Sequence, residues 1–281
     1  MKKHLTTILL VAVFVAGLSL LLYPTVSDYI NSLNQSRAIA AYSDKVEKLA
    51  DKDYRDFLDS ARDYNKALNP AAPRTLSESE YDDYYNQLNP SGGGMMGYIE
   101  IPKINCTLPV YHGTDESVLE IAIGHIEGTS LPVGGEGTHT VLSGHRGLPS
   151  AKLFTNLDEL AEGDRFVLRI LDETLTYEVD KISIVLPYEI SQLEAQKGRD
   201  LCTLVTCTPY GINTHRLLVT GHRVENEEAA SAVRVTSEAS IVNKLIVASV
   251  VAVPILILML IFVLLRTRTK KKKITKGVDN G

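Results

Sequence analysis

An apolar, β-branched run, Thr203-Leu-Val-Thr, ends on Cys207, and Pro209 and Gly211 break the strand just beyond it. A second apolar run, 217–219, follows the turn and starts beside Arg216. This pattern predicts a hairpin, with a thiol at the end of one strand and a guanidinium opening the next. Side chains at facing strand ends lie within reach across the hairpin mouth. A fixed positive charge beside a thiol favours the thiolate, the nucleophilic form. The same charge can stabilise an oxyanion formed when that thiolate attacks a carbonyl. The plainer alternative is a small buried cysteine.

Two apolar segments bracket the rest of the chain. Residues 5–22 are uncharged and mostly apolar, preceded by Lys2 and Lys3, and residues 245–265 carry no charge. The second is long enough for a helix to cross a bilayer. Arg266, Arg268, Lys270 to Lys273 and Lys276 follow it, and dense positive charge beside a span marks the cytoplasmic side. The expectation is a cell-membrane protein with both termini cytoplasmic and residues 23–244 outside. The first segment reads as an uncleaved anchor rather than a signal peptide, because it is long and lacks a persuasive small-x-small cleavage site. The basic tail suits lipid headgroups. Nine of the 29 Lys and Arg flank the spans but only one of the 34 Asp and Glu does, so the exterior carries about −13. Such a balance argues against nucleic acid as a partner.

Residues 25–90 read as helix, with apolar positions recurring loosely among many charges. This region is expected to form either a polar stalk or a helical skirt in front of the next domain. From Met95 the texture changes to short apolar stretches separated by turns. Strands are predicted at 98–101, 107–111, 140–143, 165–171, 174–185, 201–206 and 216–224. Short helices are predicted at 116–123, 151–157 and 190–195. The fold class is mainly β: a closed barrel with short helical insertions, an N-terminal helical region and two transmembrane helices. The expected layout is an anchor at 1–22, a helical region at 23–94, a barrel at 95–224, a linker at 225–244, a span at 245–265 and a basic tail at 266–281.

A cysteine nucleophile needs a base, most often histidine. In Thr140-Val-Leu-Ser-Gly-His-Arg-Gly147 an apolar strand ends at a glycine, which places His145 at a strand end as Cys207 is. His222 is the rival, since Gly221-His-Arg223 repeats the Gly144-His-Arg146 triplet, but it lies late in its strand. Of the other cysteines, Cys202 shares a predicted strand with Cys207 at odd spacing, so the two face opposite sides and cannot easily pair. Cys106 sits in its own apolar stretch. No metal or cofactor is expected: the CxxC pairs or clustered ligands of a zinc site are missing, as are a phosphate loop and the GxSxG of a serine hydrolase.

Thr203-Leu-Val-Thr-Cys207 followed by Arg216, with an upstream Gly144-His-Arg-Gly147, strongly resembles the sortases, membrane-bound cysteine transpeptidases of Gram-positive bacteria. The resemblance runs over roughly residues 96–224. It includes Gly97-Tyr-Ile-Glu-Ile-Pro-Lys-Ile104, Leu108-Pro-Val-Tyr-His-Gly113, and Gly147-Leu-Pro with Lys152-Leu-Phe-Thr155. With Cys207-Thr-Pro-Tyr-Gly-Ile-Asn-Thr-His-Arg216 and two anchors, the chain looks like the pilus-building class C. The resemblance implies a sortase β-barrel with Cys207 as nucleophile, His145 as acid/base and Arg216 as oxyanion partner. It also implies attack on the Thr–Gly amide of an LPXTG-like sorting signal and transfer to a pilin lysine amine. An anchoring sortase, with a cell-wall precursor as acceptor, and a non-catalytic module that escorts pilins are the alternatives. One class C feature is missing. Those enzymes commonly carry an Asp-Pro-aromatic lid, whereas this chain has no Asp-Pro and no tryptophan. Asn69-Pro-Ala71 and Asn89-Pro-Ser91 come nearest, so the lid is expected to be absent, loose or held differently.

Overall fold

The computed structural model describes residues 2–68 and 72–226. Of these, residues 26–68 and 72–226 belong to one compact unit and residues 2–25 to a separate one. The terminal part of α1 (Lys2–Glu47) carries a helix long and apolar enough to cross a membrane. Its Leu9, Leu10, Val13, Leu20 and Leu21 are uncovered, as side chains facing lipid would be. The expected second span at 245–265, the basic tail and most of the linker lie outside the described residues, as does Asn69-Pro-Ala71.

Eight strands close into a barrel in the order β1-β2-β3-β4-β7-β8-β6-β5. They are β1 (Met95–Ile101), β2 (Cys106–His112), β3 (Ile123–His125), β4 (Thr138–Ser143), β5 (Arg165–Ile170), β6 (Glu173–Val185), β7 (Asp200–Thr208) and β8 (His215–Val224). Most pairs are antiparallel, but β2–β3 and β4–β7 are parallel. Side chains alternate between the two faces of each strand. Cys202 and Leu204 on β7, and Leu217 and Val219 on β8, point into the main core with Ile99, Phe166 and Tyr177. The opposite parity of these strands, Val141, Val205 and Leu218, forms a second apolar cluster with Val185 and Leu193. That cluster lies on the outer face of the barrel.

β3 escaped the sequence reading because it is short and centred on a glycine. Its parallel neighbour explains the glycine: a Cβ on Gly124 would lie 2.0 Å from the Gly113 carbonyl oxygen. The helix expected at 151–157 is instead irregular, because Leu153 takes a left-handed φ of 39°, which an α-helix cannot contain. Only a 3₁₀ turn, Leu157–Glu159, follows it. Likewise 190–195 reduces to the 3₁₀ turn Ser191–Leu193, and 116–123 to the single turn of α4 (Glu116–Leu119).

The N-terminal helical region is not a polar stalk. The C-terminal part of α1, α2 (Asp51–Ala67) and α3 (Glu78–Asn86) bury Ile39, Tyr42, Val46, Leu58, Ala61 and Tyr84 in the same cluster as the barrel core. Tyr42 donates to the Met96 carbonyl at 2.7 Å and accepts from the Leu171 N–H at 2.8 Å. Asn65 exchanges two hydrogen bonds with the backbone of Leu131, at 3.0 and 2.7 Å. Fully buried Tyr84 accepts from the Gly113 N–H at 3.0 Å, and its hydroxyl lies 2.9 Å from His125 Nδ1. At the start of α3, Glu80 takes hydrogen bonds from Arg74 and from the Ser77 N–H and hydroxyl. These partners, Arg74 foremost, pull its carboxyl down to about 2. The skirt is thus tied to the barrel by polar contacts that a helical-spacing argument does not reveal.

Candidate active site

The hairpin read from the sequence is present: β7 pairs with β8, and Cys207 stands directly opposite Arg216. Pro209, which has no N–H to continue the ladder, begins the turn. Pro209 accepts from the N–H groups of Ile212 and Asn213, at 3.1 and 3.0 Å. Gly211 supplies the left-handed φ of 75° that the turn needs. The half-buried Arg216 donates from Nη1 to the carbonyls of Asn213 and His215, at 3.4 and 3.2 Å. Among the described residues no carboxylate pairs with it, so its charge is not neutralised by an ion partner.

His145 arrives from the other side of β7. The parallel β4–β7 ladder ends with Ser143 opposite Val205. It is extended by the Gly144 N–H donating to the Val205 carbonyl at 3.0 Å and the Thr206 hydroxyl donating to the Gly144 carbonyl at 2.8 Å. Followed one step further, this register brings position 145 level with position 207. His145 thus follows the end of β4 on one side of β7, while Arg216 faces Cys207 from β8 on the other. Their parity is that of Val141, Val205 and Leu218, so they lie on the outer face at the end of the second apolar cluster. All three residues are half-buried.

Gly144 is required by its surroundings, since a Cβ there would lie 2.7 Å from Phe154 and 2.8 Å from Ile123. The strand end is pressed against the core at the residue before His145. Beyond it, the His145 carbonyl accepts from the Phe154 N–H at 3.1 Å, and the Thr155 hydroxyl accepts from the Gly147 N–H at 3.1 Å. Arg146 pairs with Asp158.

The other candidates separate cleanly. His222 sits opposite Glu178 and Leu201, at the far end of β8 from Arg216, with Nδ1 3.4 Å from Asp180. Cys202 is fully buried in the core, and burial pushes its thiol well up. Cys106 packs against the core and is pushed up to about 12 by burial. Neither is placed to act as a nucleophile. His112, His125 and His139 are buried and hydrogen-bonded. His139, for example, donates from Nδ1 to the Glu194 carbonyl at 3.0 Å and meets the Thr203 hydroxyl through Nε2 at 2.7 Å. This contact holds the β6–β7 connection over the outer face. Among the described residues no group of three or more His, Cys, Asp or Glu could hold a metal ion. A cleft of about 650 Å³, lined in part by Gly134 to Thr138, Asp200 and Arg223, opens at the opposite strand ends, away from Cys207.

A thiol facing a guanidinium that no described carboxylate pairs with, and a histidine just past the end of the adjoining strand, suit acyl transfer from an extended peptide. The chemistry needs a nucleophile, a group to move protons and a positive charge for an oxyanion. Comparison with known proteins leads to the same chemistry. Residues 99–224 match the sortase domain model. Sortase D of Bacillus subtilis is 36% identical over 138 residues, spanning 48% of this chain and 67% of the relative. The crystal structure of sortase C1 from Streptococcus agalactiae has 52% identity and a TM-score of 0.66, covering 68% of this chain and all of that one (100%). That of sortase C from Streptococcus pneumoniae has 40% identity and a TM-score of 0.61, with 68% and 97% covered. With these identities over most of each relative's length, the chain belongs to the sortase family.

Proposed function

We propose that this protein is a membrane-held transpeptidase that joins pilin subunits, with Cys207, His145 and Arg216 as its catalytic residues. The observation that supports this reading is Cys207 standing opposite Arg216 across β7 and β8, with His145 two residues past the end of β4, the strand on the other side of β7. In the first half-reaction the Cys207 thiolate attacks the carbonyl carbon of the Thr–Gly amide in an LPXTG-like signal. The oxyanion forms beside Arg216, whose charge is not engaged by a described carboxylate. His145 then protonates the glycine amine as it leaves, because an amide nitrogen departs poorly without a proton. A thioester to the substrate threonine remains. In the second half-reaction a lysine amine attacks that thioester, His145 takes the amine's proton, and an isopeptide bond replaces the thioester. The thioester retains the reactivity of the acyl group, so no ATP is consumed.

The choice of a pilin lysine as acceptor draws on the neighbours: the pneumococcal sortase C is described in terms of pilin substrate specificity, and a related sortase C1 belongs to a pilus island. The alternative acceptor is the amine of a cell-wall precursor, which would make the protein an anchoring enzyme. The full chain, incubated with a protein bearing a sorting signal and either lysine-bearing pilin or wall precursor, separates the two. Covalent ladders with pilin alone support polymerisation, and a single product with wall precursor alone supports anchoring. Cys207→Ala that still forms either product would refute the catalytic assignment, and would revive a pilin-escorting module.

A further inference from the structure

Tyr210 is an exposed aromatic in the turn that follows Cys207, 60% accessible, yet its ring is not idle. The Arg146 guanidinium lies 5.8 Å from the ring centroid, within cation–π range. The ring also covers the backbone of Gly147, where a Cβ would lie 2.9 Å from it. Gly147 has a left-handed φ of 77°, so glycine serves both the loop conformation and the close approach of the ring. Arg146 is itself well enclosed, with 10% of its side chain exposed, and is held from its other side by Asp158. Tyr210 therefore sits on the two residues that directly follow His145.

This contact matters because of where the backbone ladder stops. β4 and β7 are joined as far as Gly144 and Val205, with one more link from the Thr206 hydroxyl. Past that point, among the described residues, no backbone hydrogen bond joins the His145 loop to the Cys207 turn, and the Tyr210 ring reaches from the turn to Arg146 and Gly147 in that loop. Asn213 in the same turn and His215 at the start of β8 accept hydrogen bonds from Arg216. We infer that Tyr210 is a positioning residue, which sets His145 against Cys207 by clamping Arg146 and Gly147. This rests on the assignment of His145 and Cys207 as a catalytic pair. The ring makes the clamp, and its hydroxyl is not needed, so phenylalanine serves in its place.

The test needs no sorting peptide. Alkylation of Cys207 by iodoacetamide is followed on the Cys207-containing fragment by mass spectrometry, using the full chain in detergent. Tyr210→Ala is expected to slow alkylation several-fold with thermal stability unchanged, and Tyr210→Phe to restore the wild-type rate. His145→Ala should slow it as well, and Tyr210→Ala added to that variant should have no further effect. A wild-type rate in Tyr210→Ala, as a side chain that only contacts substrate would give, overturns the inference. So does a phenylalanine variant as slow as the alanine one, or a Tyr210 effect that persists undiminished without His145. A wild-type rate in His145→Ala instead refutes the catalytic pair, and the inference with it.

Discussion

Three thiols share this chain, and their surroundings separate them. Cys202 and Cys106 are carried into the core, where desolvation disfavours the thiolate, while Cys207 takes the outer parity of β7 beside Arg216. Cys106→Ala and Cys202→Ala should therefore keep acyl-enzyme formation within a few-fold of wild type, and Cys207→Ala should abolish it. Mass spectrometry of the trapped thioester reads all three. The alternation of a strand made this division legible in the sequence, because residues 202 and 207 cannot share a face. Choosing between His145 and His222 was harder. Both follow a glycine and precede an arginine, and only the parallel pairing of β4 with β7 carries one of them to the end of the sheet where the thiol lies. A parallel pairing joins segments some sixty residues apart through a crossover, and no local signal announces it.

At the scale of elements, the end of β4 is the sensitive joint. Gly144→Ala would drive a methyl into Phe154 and Ile123, and overpacking of this kind costs roughly 1–3 kcal/mol. The strain falls on the residue before His145, so turnover of a sorting-signal peptide should drop at least tenfold while the melting temperature falls only a few degrees. The region in front of the barrel behaves differently from a detachable lid. Removing residues 65–92 would take Tyr84 and Leu88 out of the core and break the Asn65 hydrogen bonds to Leu131, so that deletion reports on folding rather than on access to Cys207. Tyr84→Phe is the sharper probe. It leaves the buried Gly113 N–H without its partner, and an unsatisfied buried donor costs about 1–3 kcal/mol. Chemical denaturation should show that loss, with the activity of the folded fraction preserved.

For the molecule as a whole, buried histidines set the response to acid. Burial pulls His125 down to about 4 and lowers His139 as well, whereas an unfolded imidazole titrates near 6.5. Between those values the unfolded chain binds protons that the folded chain excludes. Stability is therefore complete above about pH 6.5 and is lost as the pH falls toward 4. For His125 alone the shift corresponds to on the order of 3 kcal/mol. The melting temperature should fall by roughly 10 °C over this window, and His125→Gln should flatten that slope. Leu9, Leu10, Val13, Val15, Leu20 and Leu21 of α1 are exposed along a helix that can cross a bilayer. The full chain should accordingly partition with membranes and be released by detergent but not by high salt.

Hydrophobic patterning and chain-breaking residues were enough, by themselves, to mark the apolar ends, seven of the eight strands and the hairpin that holds Cys207 opposite Arg216. Those features depend on contacts between residues near in sequence, or on the period of a single element. Tertiary structure alone decided the rest. It brought β4 alongside β7 and so the segment of His145 to the same end of the barrel as Cys207, turned the charged N-terminal helices inward on their tyrosines, and laid Tyr210 across the loop behind His145. Each of these joins segments whose pairing is selected by the closure of the barrel and the filling of its core, and such non-local contacts leave no periodic trace in the chain.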